Sequence, residues 1–538
     1  MPLPNGAGRE DRVGTPGQSV KAGTSRPLSQ SLADDNKELC WEFAERQLKH
    51  YPHFDGPISR DDAVRLATDP ERVARHRFYP FLSYIKRYTR FAPKGQEGAR
   101  KERPLRYAAR RDAYIFMYYR WILPQSYENK LKDLGLVDVV LAYRRIPEHI
   151  EASDGSRPTR GGNKNNIHFA RDAFLAIRKM ATEYDTLVFA FDIESFFENR
   201  DHCKIKMDWQ RLLGAKRLPE DHFRVFRAST RYAYVDYNEC IRRLSLTEVK
   251  TLPNGKKIIV PKRRLPKHLC SGRVFRDKLA GVPGVIQVNE TGRGVPQGCP
   301  LSDLLSNMYM LEFDSVVAKV VKRRKGLYWR YADDILIAVP DNKGRQRKVP
   351  ILVAKAIRKY CVTLKIKEKK TSIHRFSFRN EHVVCQFVSG EQGQNGLEYL
   401  GFRFDGRQVY LRDRTLSGHY RKMTYRIRSA VRRWLRAHPQ LTSEQVRARF
   451  PKEMVYQRFG KVTDWEERRR GYRNWTFYSY AKRAHEIMSS LGSRIADQLK
   501  RQREHFDRRV ARELTRALAR REEVGTQASR TVAREGEV

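Results

Sequence analysis

Two apolar runs in this sequence end in carboxylates, and acids placed in that way call for a cation. In LYWRYADDILIAVP the half-runs flank Asp333 and Asp334, which predicts a β-hairpin whose tip carries both acids out of a buried strand pair. In TLVFAFDIESFF another run ends on Asp192, at the end of a strand able to lie beside that hairpin. Three converging carboxylates suit phosphoryl transfer by two metals. The acids hold two Mg²⁺ roughly 3.5–4 Å apart, one activating a hydroxyl and the other stabilising the leaving pyrophosphate. Magnesium keeps few protein ligands and takes the rest from phosphate and water. Taken singly, Asp-Asp also reads as an ordinary hairpin turn and Asp192 as a strand end.

Charge narrows the partners. Lys and Arg number 108 against 62 Asp and Glu, a formal charge of +46, and an excess of that size needs a polyanion to neutralise it. Each cation set against a phosphate releases a condensed counterion, so a long RNA or DNA footprint is expected. At 538 residues the chain exceeds what one core supports, which predicts two or three lobes and excludes a single small binding module. Seven cysteines (Cys40, Cys203, Cys240, Cys270, Cys299, Cys361, Cys385) are dispersed, without C-x-x-C pairs or zinc-like His spacing, which fits a reducing interior. No apolar run reaches the roughly 18 residues of a membrane span. MPLPNGAGREDRVG lacks the apolar stretch of a signal peptide, so the expected setting is soluble and cytoplasmic, with no membrane partner.

The elements that must position the acids follow from periodicity. Residues 1–36, rich in Gly, Ser, Pro and charge, read as a disordered leader. Residues 37–180 read as mainly helical, as in CWEFAERQLKHY and RDAYIFMYYRWILPQSYENKLKDLG. The basic, turn-rich FAPKGQEGARKERPLRY interrupts them as the loop or hairpin of a finger-like lobe. In 181–405, TLVFAFDI, LYWRYADDILIAV and LEYLGFRF read as strands and LSDLLSNMYMLEFDSVVAKVVKR as one helix, an α+β catalytic domain. A basic, loop-like insertion near 245–290 has no assigned role beyond nucleic-acid contact. Residues 406–521 are helical, Arg-rich and aromatic, suited to gripping a duplex backbone, and 522–538 read as a disordered tail.

YADD at 331–334 resembles the Y-x-D-D box of reverse transcriptases, and FDIESFFENRDH at 191–202 resembles their first palm carboxylate motif. Between them, GRGVPQGCPLSDLLSNMYM at 292–310 is similar to the family's G-x-P-Q-G-x-x-x-S segment, carried here by Gln297 and Gly298. LKIKEKKTSI at 364–373 resembles the fourth palm motif, with Lys370 near the nucleotide phosphates and Lys369 as its alternative. LEYLGFRF at 397–404 resembles the primer-grip turn, made by Leu400 and Gly401; a core hairpin without contact is the other reading. PKGQEGARKERPLRY at 93–107 resembles the fingers motif that holds the triphosphate, with Lys94 as a mobile point charge and Arg103 as a planar fork. Phe197 lies where the family places an aromatic that excludes a ribose 2′ hydroxyl; core packing, shared with Phe196, is its alternative role.

The resemblance implies a right-hand polymerase with fingers, a palm whose antiparallel sheet carries the Y-x-D-D hairpin, and a mainly α-helical, thumb-like C-terminal lobe. It further implies an RNA-directed DNA polymerase that uses dNTPs, an RNA template and two Mg²⁺, with Mn²⁺ as a substitute, and it yields a DNA product. The metal set becomes Asp192, Ile193, Asp333 and Asp334, with Asp192, Asp333 and Asp334 catalytic. The nucleotide set is Lys94, Arg103, Phe197, Gln297 and Lys370. An RNA polymerase, a template-independent polymerase and a group II intron-like maturase or RNA-binding scaffold are the rivals. Retention of all three acids argues against a scaffold, because carboxylates beside phosphates repel unless metal neutralises them.

Outside the palm, RPLRYAARRDAYIFMYYRWILPQSYENKL and VVLAYRRI resemble the abortive-infection and defence-associated bacterial enzymes. That finer resemblance implies a structured noncoding RNA template, antiphage defence, and a homo-oligomer or an accessory defence protein as partner. The chain lacks the Cys pairs of an H-N-H nuclease, and no ribonuclease H domain is evident. Some defence enzymes prime on a protein hydroxyl, for which Tyr472, Tyr478 and Tyr480 are candidates; packing or base stacking is the alternative.

Overall fold

The computed structural model describes residues 41, 43–89, 100–150, 159–252, 255–342, 345–391, 393–460 and 476–535. Sixteen strands occur among them. In chain order they are β1 (Phe81–Thr89), β2 (Arg100–Tyr107), β3 (Pro147–Ile150), β4 (Thr159–Asn163), β5 (Thr186–Asp192), β6 (Ala233–Asp236), β7 (Thr247–Thr251) and β8 (Lys257–Pro261). They continue with β9 (Gln287–Val288), β10 (Leu327–Tyr331), β11 (Asp334–Pro340), β12 (Ser372–Arg379), β13 (His382–Gly390), β14 (Leu397–Tyr399), β15 (Phe402–Phe404) and β16 (Val409–Leu411).

The palm is a five-stranded sheet in the order β10-β11-β5-β12-β13, every neighbour antiparallel. Its central strands read as continuous apolar runs because both faces are covered. Leu187, Phe189 and Phe191 of β5 join one core, with Ile335, Ile337 and Val339 of β11. The alternate residues Val188, Leu336 and Ala338 join a second core against the helix Asn166–Glu183. Charge emerges only where both cores end, at Asp192 and Asp334.

The fingers sheet runs β2-β1-β6-β9, and the small sheet β14-β15-β16 packs its Leu397, Phe402, Phe404 and Val409 into the second core. The C-terminal lobe is helical: Asp413–Ala437 lies against Gln502–Glu535 over Met423, Ile427, Val431, Phe506, Val510 and Leu514.

The structure departs from the sequence-based expectations at four places. Among the described residues of CWEFAERQLKHY, the helical structure is a 3₁₀ turn at Glu45–Gln47. Trp41 and Phe43, two positions apart, both bury against Tyr118 and Tyr114, an extended rather than a helical spacing. The single helix expected from LSDLLSNMYMLEFDSVVAKVVKR is two, Ser302–Tyr309 and Leu311–Arg323. Met310 separates them, and Asn307 from the first and Asp314 from the second both bond Arg330. The 245–290 insertion is not loop-like throughout: β7 and β8 make a two-stranded ribbon, and Leu269, Leu279 and Val285 join Leu82 and Val235 in a small core. The last helix continues to Glu535, so 522–535 is helical rather than a structureless tail. The proposed leader lies outside the described residues, and no described helix is long and apolar enough to cross a membrane.

Candidate active site

The β10–β11 turn has two residues, Ala332 and Asp333, with Tyr331 paired to Asp334. Ala332 takes φ +57°, a left-handed conformation rare for a residue with a Cβ. Its carbonyl accepts from Arg330 Nη1 at 3.2 Å. Arg330 is itself buried and grips Asp314 through Nε at 2.8 Å and Nη2 at 2.7 Å, while Tyr328 donates its hydroxyl to the same carboxylate at 2.6 Å. A bidentate pair of this kind fixes direction as well as distance, so the tip rests on a rigid base.

β5 aligns the third acid. Asp192 stands directly across from Asp334 in the ladder, and Ile193 N–H donates to the Asp333 carbonyl at 3.1 Å. Ile193 is buried, and its neighbour Asp192 offers its carbonyl to Lys367 N–H at 2.8 Å. That bond brings in the short 3₁₀ turn Glu368–Lys370, and Lys370 Nζ bonds Asp192 Oδ2.

The electrostatics are those of crowded acids. Burial, then Asp333 and Asp192, push the Asp334 carboxyl up to about 7, against the pull of Lys370 and Arg412. Asp333 is raised by burial and by Asp192, with Lys370 and Arg103 opposing. Among the described residues no three metal-binding side chains close into a ready-made cage. The ammonium of Lys370 already stands against Asp192, and the repulsion left at Asp333 and Asp334 is what a divalent cation would relieve. All-oxygen donors with few protein ligands fit Mg²⁺ or Mn²⁺.

A pocket of about 420 Å³ opens beside Asp334, lined also by Tyr331, Glu398, Leu400, Gly401 and Arg412. Leu400 (φ +48°) and Gly401 (φ +96°) form the two-residue turn between β14 and β15. The turn is held from both sides, by Asn166 Nδ2 on the Leu400 carbonyl at 3.2 Å and by Arg412 N–H on the Gly401 carbonyl at 3.0 Å.

Gln297 and Gly298 meet the fingers. The Gln297 carbonyl accepts from Arg106 N–H at 2.9 Å, and Gly298, at φ +114°, packs so closely on the Arg106 carbonyl that a Cβ would collide with it. The Gln297 side-chain Oε1 is buried without a donor among the described residues. Phe197 is half-buried against the main core, and its carbonyl accepts from Val295 N–H at 2.9 Å. Phe197 and Gln297 are thus tied to one loop and not directly to the acids. Arg103 is near enough to Asp333 to lower its carboxyl pKa. Lys94 and Tyr472 lie outside the described residues. The Tyr480 hydroxyl accepts from Asn166 Nδ2 at 2.9 Å, and its ring packs with Phe402, a packing arrangement.

Sequence reasoning missed Tyr143, Asn166 and Arg412. Tyr143 takes φ +65°, and its hydroxyl is pushed up to about 12 by burial and by Asp333. None belongs to a run with catalytic spacing, and only the fold brings them to the site.

Residues 265–404 match the family model for reverse transcriptase (RNA-dependent DNA polymerase), a span that includes Gln297, Asp333, Asp334, Lys370, Leu400 and Gly401. This stretch is thus similar to reverse transcriptase domains, and the described residues make an α+β fold with a helical C-terminal lobe. The family that this model describes is that of RNA-dependent DNA polymerases. No curated protein matches the chain. Among solved structures it is similar to apo telomerase from Candida tropicalis truncated from its C-terminal domain, with TM-score 0.32, 10% identity and coverage of 65% of this chain and 59% of that one. The untruncated apo enzyme gives TM-score 0.34, 12% identity, and 85% and 71% coverage. Telomerase from Candida albicans with the TWJ fragment of telomeric RNA gives TM-score 0.34, 12% identity, and 83% and 63% coverage. The chain thus spans 59% to 71% of the lengths of these telomerase chains.

Proposed function

We propose that this protein copies an RNA template into DNA by two-metal nucleotidyl transfer. The observation that carries this reading is the placement of Asp192 directly across from Asp334, with Asp333 at the adjoining tip and the Leu400–Gly401 turn on the wall of the same pocket. Asp192, Asp333 and Asp334 would hold two divalent ions, with the Ile193 main chain beside them. When bound, the ions supply Lewis acidity to the primer hydroxyl and to the departing pyrophosphate.

The chain's own groups do the rest. Lys370, held beside Asp192, neutralises phosphate charge and is placed to give a proton to the leaving group. Arg103 and Lys94 take the triphosphate from the fingers side. Gln297 and Gly298 let the main chain approach the nascent pair, and Leu400 and Gly401 seat the primer end. Phe197 is the sugar gate, which excludes a 2′ hydroxyl by contact. Asp333 and Asp334, each destabilised as an anion by its neighbours, gain most from the incoming cations.

The finer reading is synthesis on a structured noncoding RNA in antiphage defence. It is supported by the resemblance of the segments 103–131 and 139–146 to that group. The test is incubation of purified protein and its co-purifying RNA with Mg²⁺ and labelled deoxynucleotides, with Asp333→Ala as control and sequencing of the product. DNA complementary to that RNA supports the proposal. A homopolymer product points to untemplated synthesis, and a product that survives Asp333→Ala overturns the site.

A further inference from the structure

Three arginines among the described residues are wholly buried, and they are not alike. Arg110 donates to the carbonyls of Lys49, Tyr51 and Lys267 and pairs with Asp55. Arg330 has Asp314, Asn307 and the Ala332 carbonyl. Arg200 has no hydrogen-bond acceptor at Nε, Nη1 or Nη2 and no ion pair among the described residues. Its guanidinium instead lies 4.1 Å from the Phe196 ring centroid and 4.4 Å from that of Phe197, the two rings being 5.7 Å apart and inclined at 76°.

A guanidinium removed from water without an acceptor is unfavourable, and an apolar side chain of similar volume would serve packing better. What the cation does gain is the negative face of two aromatic rings, an attraction that strengthens when water is excluded. The main chain around it is fixed separately, by Val295 N–H on the Phe197 carbonyl at 2.9 Å and Gly294 N–H on the Arg200 carbonyl at 2.7 Å. The remaining freedom of Phe197 is the swing of its ring, and Arg200 backs that ring.

We propose that Arg200 is a positioning residue for sugar selection, its guanidinium holding the Phe197 ring in the path of a ribose 2′ hydroxyl. The inference rests on the reading of Phe197 as the gate. A ring that loses this contact yields more readily, so discrimination falls by the factor the contact contributed, about 30-fold for a desolvated cation–π pair.

The experiment compares kcat/KM for a deoxynucleotide and the matching ribonucleotide in the wild type, Phe197→Ala, Arg200→Met and Arg200→Lys. The ratio is taken within one preparation, so inactive protein cancels. Phe197→Ala should remove most of the discrimination. Arg200→Met should lower the ratio about 30-fold, chiefly by raising the ribonucleotide value, without lowering Tm. Arg200→Lys, which keeps the charge but loses the planar face, should fall between. If Phe197→Ala relaxes selection while both Arg200 variants keep the wild-type ratio, the inference is overturned and the gate stands. If Phe197→Ala changes nothing, the gate reading itself fails. Should Arg200→Met not fold, Arg200→Lys decides alone: a reduced ratio supports the proposal and an unchanged one overturns it.

Discussion

Replacing Asp314 by Ala should unseat the hairpin that carries Asp333 and Asp334 from below. Asp314 and Arg330 are both wholly inaccessible, and the carboxylate accepts from Arg330 Nε and Nη2 and from the Tyr328 hydroxyl. Without it, the guanidinium keeps only Asn307 Oδ1 and the Ala332 carbonyl, each at 3.2 Å. Breaking a buried pair from one side costs about 3–5 kcal/mol, and the orphaned tyrosine hydroxyl adds about 1 kcal/mol. The total expected is therefore about 4–6 kcal/mol. Asp314→Ala combined with Arg330→Met removes the stranded charge and should recover a large part of that loss. The assay is urea unfolding followed by tryptophan fluorescence, which Trp329 in β10 reports, analysed as a double-mutant cycle. The double variant should fold yet incorporate nucleotide slowly, because the left-handed Ala332 loses the donor on its carbonyl. A loss below about 1 kcal/mol for Asp314→Ala, the range of an exposed pair, or strictly additive losses in the cycle, would refute the reasoning.

Asp192→Ala or Asp333→Ala should abolish incorporation while leaving RNA affinity largely intact, since binding comes from the basic surface; parallel loss in a filter-binding assay would count against that division. RNA affinity should fall steeply with salt, and a flat profile between low and physiological salt would sink the electrostatic account. Gly298→Ala should lower Tm and activity together, from strain of about 1–3 kcal/mol at a positive φ and from the collision with the Arg106 carbonyl; an unaltered melt would show that the fingers contact is loose. Burial, then Lys422 and Arg509, hold the His419 imidazole down at about 4. The unfolded chain therefore takes up the proton first, and stability present above about pH 6.5 is lost as pH falls toward 4. His419→Phe should flatten that acid slope in thermal melts, and an unchanged slope would place the sensitivity elsewhere.

The palm was legible because its chemistry is local in sequence. Asp192 ends one apolar run and Asp333–Asp334 divides another, and a strand buried on both faces can expose charge only at its end. The Leu400–Gly401 turn was legible for a similar reason: two triplets that alternate apolar and charged residues leave two residues for the bend. The split at Met310 was not, because LSDLLSNMYMLEFDSVVAKVVKR keeps helical periodicity throughout. The Trp41–Phe43 segment was misread because CWEFAERQLKHY as a whole reads as helical, while the burial of Trp41 against Tyr118 and of Phe43 against Tyr114 is decided by the tertiary structure.

By itself the sequence determined which residues could be acids at strand ends, how basic the surface is, and the order of the motifs, since these depend on neighbours along the chain. Tertiary structure alone decided that Asp192 faces Asp334 and that Lys370 stands against Asp192. It alone decided too that Arg330 is paired while Arg200 has two aromatic faces. Register and burial are set by which strand lies beside which, and a side chain's charge partner 178 residues away leaves no local trace.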